Sequence, residues 1–273
     1  MALALIAMAT KAVAAEPERV TFPGRDASVP AVQALLYRPS DVSKSQPAIV
    51  ALHGCGGNMR SDGRGLVARV PDWTDRFLAA GYTVLWPDSF GSRGLGPQCG
   101  VANRAITPAI RAGDALAAAD WLAGQPGIDK TRIALVGWSN GASTVLRAVA
   151  PTPNRSTTPF KIAVAFYPGC RPLAEPTRSV PWSATVPLTI LIGAADDWTP
   201  PEPCRLLGTR PNVRYIEYPG AYHDFDAPDL PVRVRKGLAF TTGKTGEAHV
   251  GTDPAARSAA IAEVMTLVAA AFR

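Results

Sequence analysis

The sequence predicts an α/β fold with a mostly parallel central sheet and helices on both faces. Three observations carry that expectation. Short apolar runs alternate with helix-period segments from residue 31 onward. The runs are apolar throughout rather than on every second residue, as strands buried on both faces are. Pro and Gly, 26 and 24 in number, are scattered between the runs, so they read as turns rather than low complexity. No internal repeat is visible.

Ala31 to Tyr37 reads as a strand stopping short of Pro39, and Ala48 to Leu52 as another stopping at His53-Gly54. Pro71 to Ala80 reads as a helix closed by Gly81, and Tyr82 to Trp86 as a strand before Pro87-Asp88. Thr107 to Leu122 is the clearest helix, with Thr107 as cap, Pro108 in its first position and an apolar face through Ile110, Ala117 and Trp121. Arg132 to Val136 is a buried-strand run followed at once by a helix from Ser139 to Ala150. Ile162 to Tyr167, Leu188 to Ile192 and Val213 to Tyr218 are further strands, and Ala255 to Phe272 is a terminal amphipathic helix. Pro151 to Pro159 is polar and turn-rich but too short for an interdomain linker. Leu230 to Pro254 lacks periodicity and is expected to be a loop near the site, with a lid as one option. Sheets of this kind carry ligands at the carboxyl ends of their strands.

Of the 273 residues, 47% are apolar and 18% charged, which suits a compact globule with a large core; residues 16–273 read as one domain. The net charge of +6 is dominated by arginine, with no block of like charges and no basic stripe interleaved with aromatics, so no nucleic-acid partner is expected. Residues 1–15 read as a signal peptide: Ala2 to Ala9 is apolar, and Ala12-Val13-Ala14 or Val13-Ala14-Ala15 is a small-residue cleavage pattern, although no Lys or Arg precedes the apolar run. The expected location is secreted or periplasmic. No later segment reaches ~18 uninterrupted apolar residues, so no membrane span is expected after the leader.

Gly137-Trp138-Ser139-Asn140-Gly141 lies between a predicted buried strand and a predicted helix. That is the context of a G-x-S-x-G nucleophile elbow, in which flanking glycines relieve clashes in a tight turn and the serine projects above the sheet. Ser139 is the expected nucleophile, and the N–H of Asn140, at the helix N-terminus, an expected oxyanion donor. The alternative for Ser139 is a helix cap, since Ser is a favoured N-cap and G-x-S-x-G also occurs by chance. A serine needs a base. Of His53, His223 and His249, His223 follows a strand end; His249 reads as a solvated loop residue. His53 opens His53-Gly54-Cys55-Gly56-Gly57 after an early strand. That run reads as an oxyanion-hole loop with donors around Gly54 and Cys55, and His53 as its structural anchor. Asp196 and Asp197, after the strand Leu188 to Ile192, compete to orient the imidazole. Asp196 is the expected acid and Asp197 a turn cap.

Five segments together resemble the dienelactone hydrolase family of α/β-hydrolases over most of residues 30 to 272: His53-Gly54-Cys55-Gly56-Gly57, Pro87-Asp88-Ser89-Phe90-Gly91, Gly137-Trp138-Ser139-Asn140-Gly141, Asp196-Asp197-Trp198-Thr199-Pro200 and Tyr222-His223-Asp224-Phe225. The resemblance implies an α/β-hydrolase fold and a triad of Ser139, Asp196 and His223. The family's acid stands four residues before the proline, which supports Asp196. The chain departs from the family at the nucleophile, where dienelactone hydrolases carry cysteine, so it resembles the serine esterase-like members. Four cysteines allow three connectivities. In the resembled fold the strands before Cys55 and Cys99 are neighbours, as are those before Cys170 and Cys204, which implies Cys55–Cys99 and Cys170–Cys204. Two disulfides suit an oxidising compartment.

The expected activity is hydrolysis of a small-molecule carboxylic ester, with no cofactor and no metal. A prolyl-peptidase-type serine peptidase is the alternative, disfavoured because no propeller-sized segment precedes the hydrolase pattern in this sequence. A catalytically inactive exported binding protein is the remaining reading. Gly91-Ser92-Arg93-Gly94-Leu95-Gly96 does not open a helix after a strand and reads as a flexible loop rather than a phosphate cradle. Arg93 or Arg104 is a candidate contact for an acidic substrate.

Overall fold

The computed structural model describes residues 16–25, 29, 31–41, 45–152, 159–175 and 181–273. The leader reading at residues 1–15 and most of the turn-rich stretch after Pro151 lie outside them. The elements in chain order are β1 (Glu18–Pro23), β2 (Ala31–Tyr37), β3 (Gln46–Leu52), α1 (Arg69–Ala79), β4 (Thr83–Pro87), α2 (Pro108–Ala123), β5 (Ile128–Trp138), α3 (Asn140–Ala148), β6 (Ile162–Phe166), α4 (Arg171–Ala174), β7 (Leu188–Gly193), α5 (Pro201–Gly208), β8 (Val213–Tyr218), β9 (Arg233–Arg235), β10 (Ala248–Val250) and α6 (Pro254–Ala271).

Eight strands form one sheet in the order β1-β2-β4-β3-β5-β6-β7-β8. From β4 through β8 every pairing is parallel, while β1 with β2 and β2 with β4 are antiparallel. β1 has no counterpart in the sequence reading. Its segment Glu-Arg-Val-Thr-Phe-Pro buries only Phe22, as an edge strand does, and so lacks the continuous apolar signal of the inner strands. The chain leaves β3 toward β4 and returns to lay β5 on the other side of β3. This reversal makes the carboxyl ends of β3 and β5 the switch point, where open α/β sheets form ligand crevices.

Neighbouring residues of a strand point to opposite faces. At the end of β5, a Cβ on Gly137 would meet Val145 of α3 at 2.8 Å, whereas Trp138 packs on Trp73 of α1 at 5.6 Å between ring centroids. Hence α3 and α1 cover opposite faces. Trp86, Trp138 and Phe166 stack side by side under α1. On the other face α2 buries Arg111, Ala115, Ala118 and Leu122, positions one helical stripe apart. Of the expected face, Ala117 is buried while Ile110 and Trp121 are only half-buried. Thr107 does cap α2, its hydroxyl accepting the Ile110 N–H.

By length and composition α6 is apolar enough to cross a membrane. In this fold its Ala256, Ala260, Val264 and Val268 form a buried stripe, and Arg257 ties it to Asp72 of α1 at 2.6 Å. Both disulfides are formed, Cys55–Cys99 and Cys170–Cys204. The segment 91–96 is not the flexible loop expected of its glycines. Gly91–Arg93 is a turn of 3-10 helix, and Arg93 is buried in a two-pronged pair with Asp114 of α2, with bonds of 2.9 and 3.0 Å. Arg93 therefore anchors structure and is not placed to meet a substrate.

Candidate functional site

The turn between β5 and α3 holds Ser139 at φ 53°, a left-handed conformation that costs a non-glycine residue of order 1–3 kcal/mol. The flanking glycines make this turn possible. A Cβ on Gly141 would lie 2.1 Å from the carbonyl oxygen of Leu52, and one on Gly137 would lie 2.5 Å from that of Gly141. Close approach of α3 to the end of β3 is thus open only to glycine at these positions.

Three predicted residues converge there. His223 Nε2 lies 2.9 Å from Ser139 Oγ, and His223 Nδ1 lies 2.8 Å from Asp196 Oδ2. His223 and Asp196 are both buried. Gly193, ending β7, lets the two loops meet, since a Cβ there would sit 2.1 Å from the Ala221 carbonyl oxygen. The imidazole is held between the rings of Tyr167 and Trp198, with centroids at 4.5 and 4.7 Å. Burial opposes its protonation, but the Asp196 carboxylate more than compensates and raises the His223 pKa above the ordinary imidazole value.

The two adjacent acids divide their work differently from expectation. Asp196 both faces His223 and caps its own turn, its Oδ1 accepting the N–H groups of Trp198 (3.0 Å) and Thr199 (2.8 Å). Asp197 instead accepts from the N–H of His249 at 2.8 Å and pairs with its ring at the same distance. His249 is therefore not in a loop: it sits in β10, its ring half-exposed and stacked on Tyr222. The stretch Leu230 to Pro254 contains the β9–β10 ribbon. The ribbon is bound to the site: the Gly251 N–H donates to the His223 carbonyl, and the Trp198 indole donates to that of Ala239.

His53, Gly54 and Cys55 follow β3, and Gly54 lies directly under the elbow, where a Cβ would be 3.6 Å from that of Ser139. Asn140 is the first residue of α3, so its N–H has no acceptor within the helix. His53 is buried, and burial followed by the nearby Arg111 charge depresses its pKa well below the usual value, leaving it neutral. Its Nδ1 bonds to the Gly54 carbonyl at 2.7 Å, consistent with an anchor for the loop.

Sequence reading missed two groups. Arg111 is fully buried at the foot of the site; it donates to the His53 carbonyl at 2.8 Å and to the Asn140 side chain, and lies over the Phe90 ring. One guanidinium thus braces both loops that flank Ser139. Burial lowers its pKa to about 9 against the pull of Asp114 and Asp88. Its signal was legible: Arg111 occupies a position on the apolar stripe of α2. Asp226 is the second. Fully buried, it accepts from the indoles of Trp73 and Trp138, each at 2.8 Å, from the Tyr167 hydroxyl at 2.5 Å and from Arg69 at 3.2 Å. It locks the residue before Ser139 and the ring beneath His223. No periodicity marked it.

Two cavities meet at the serine, one of about 780 Å³ and one of about 270 Å³. A protein from Klebsiella pneumoniae subsp. pneumoniae, provisionally designated a dienelactone hydrolase, superimposes with a TM-score of 0.64 at 17% identity, over 93% of this chain and 98% of its own. The fold is the α/β-hydrolase fold. Esterase 2 of Thermogutta terrifontis, in a form phosphoramylated by tabun, matches with a TM-score of 0.59 at 19% identity over 92% of each chain. Dipeptidyl peptidase 4 of Porphyromonas gingivalis matches with a TM-score of 0.55 at 19% identity, over 77% of this chain but 32% of its own. In sequence, residues 70–202 match the prolyl oligopeptidase family, a span that holds Ser139 and Asp196 but stops short of His223. Both branches of serine-hydrolase chemistry are thus represented among proteins similar to this one.

Proposed function

We propose that this protein is a serine esterase that hydrolyses a small-molecule carboxylic ester. The observation that carries the reading is the continuous line from Ser139 Oγ through His223 to Asp196, with bonds of 2.9 and 2.8 Å. His223 Nε2 takes the proton of Ser139 as Oγ attacks the ester carbonyl, while Asp196 holds the Nδ1–H tautomer. The N–H groups of Asn140 and the Gly54–Cys55 segment receive the oxyanion. As the carbon–oxygen bond to the alcohol breaks, His223 returns the proton to the leaving oxygen. Water, deprotonated by the same imidazole, then releases the acid and restores Ser139. The two disulfides support a secreted or periplasmic setting for this chemistry.

A fluorophosphonate probe tests the nucleophile. The paraoxon-phosphorylated form of the Thermogutta esterase supports the choice of an organophosphorus reagent. An adduct on Ser139 of the folded protein, absent in Ser139→Ala, is expected; no adduct there refutes the reading. The peptidase alternative is favoured by the prolyl oligopeptidase match. Turnover of p-nitrophenyl esters without turnover of peptide anilides separates the two, and the reverse pattern would make the protein a peptidase.

A further inference from the structure

Ser139, Cys55 and Trp198 line both cavities, so the nucleophile stands on the wall between them. The imidazole does not share that position: His223 lines only the smaller cavity. The leaving oxygen must receive its proton from His223 Nε2, so the departing alcohol has to lie on the imidazole's side. The acyl portion then extends the other way, into the cavity nearly three times larger.

Among the described residues, the wall of that larger cavity carries the cations Arg104, Arg171 and Lys244 and neither Asp nor Glu. Elsewhere around the site arginines face carboxylates, as Arg69 does Asp224 and Asp226, and Arg93 does Asp114. Arg104 is held differently. Its Nε donates to the Gln98 carbonyl at 2.9 Å and its guanidinium lies 4.8 Å over the Phe240 ring. Those contacts orient the group without neutralising it, and burial alone lowers its pKa. A set of cations around a cavity whose other lining side chains are neutral favours an anion there, and a guanidinium favours a planar, two-oxygen one.

Building on the esterase reading, we infer that the substrate is the ester of a small alcohol with a large acyl group that itself bears a carboxylate, seated in the larger cavity near Arg104 and Lys244. Four esters test this as two matched pairs. In the first the charge is on the acyl side: the monomethyl ester of terephthalic acid against its neutral carbamoyl analogue. In the second it is on the alcohol side: para-carboxyphenyl acetate against para-carbamoylphenyl acetate. The acid is expected to exceed the amide about tenfold or more in kcat/KM in the first pair, mainly through KM, with no gain in the second. Raising ionic strength should shrink that ratio. Arg104→Met and, at an exposed position that does not threaten folding, Lys244→Gln should each bring it toward one. A ratio of one or less in the first pair, or a gain confined to the second, overturns the inference while leaving a serine esterase. No turnover of any of the four esters, with no adduct on Ser139, overturns both readings.

Discussion

His223 must be neutral to accept the Ser139 proton, and its pKa is raised because Asp196 stabilises the imidazolium despite burial. The acid limb of kcat/KM is therefore expected to have its midpoint above the ordinary imidazole value of about 6.5. The linked effect on stability has the opposite sense: a raised pKa contributes stability fully below the unfolded value and loses it as pH climbs through the folded one. An acid-limb midpoint at or below 6.5 by initial-rate measurements would contradict the geometry. Asp196→Asn keeps the shape but favours the wrong tautomer, and should lower kcat by roughly 10⁴-fold. Arg111 touches neither substrate nor reacting atoms and acts by positioning. In Arg111→Met the His53 and Asn140 loops lose their shared brace, with an expected fall of about 10²-fold in kcat and little change in KM. A loss appearing wholly in KM would assign Arg111 to binding instead.

At the scale of elements, the elbow depends on contacts that no side chain can share. Gly141→Ala places a methyl group 2.1 Å from the Leu52 carbonyl oxygen, so β3 and α3 must part. The expected cost is about 3 kcal/mol, read as a lowered urea midpoint at unchanged m, with activity falling further than stability because Ser139 moves with α3. The α2 helix shows the same coupling of packing to chemistry. Its buried stripe carries Arg111 toward the elbow and Asp114 toward Arg93, so a helix that looks like a simple cover also holds the floor of the site. The β9–β10 ribbon falls in Leu230 to Pro254, where the sequence predicts a loop near the site rather than strands. Its two three-residue strands are too short for alternation to register, and bonds to Cys99, Trp198 and His223 hold it in place.

At the scale of the molecule, the two disulfides tie active-site loops on opposite sides of Ser139. Cys55–Cys99 packs with Trp198, Leu238, Ala248 and Val250 in a small core of its own beneath the ribbon. Cys170–Cys204 joins the loop after β6 to α5 and lines the larger cavity through Cys170. Replacing either pair with alanine should cost about 2–4 kcal/mol in equilibrium unfolding. Loss of Cys55–Cys99 should depress kcat as well, because Cys55 belongs to the proposed oxyanion segment. Equal activity in both double variants would separate that segment from the disulfide.

The sequence alone determined the α/β architecture, the strand ends at which chemistry could stand, and three residues in the chain order of a Ser-Asp-His triad. Continuous apolar runs and glycine-flanked turns are local signals, and the elbow motif is contiguous. Tertiary structure placed Asp196, the expected acid, against His223 and alone decided what its neighbour does: Asp197 turns to the His249 ring of β10, a partner 52 residues away. It likewise revealed Asp226 and Arg111, whose partners lie as many as 157 residues away in sequence, and the cation-lined cavity, whose walls come from six separate segments. The position of Arg111 on its helix has a period behind it, but these partnerships and the cavity are properties of distance in space, which no period or motif along the chain encodes.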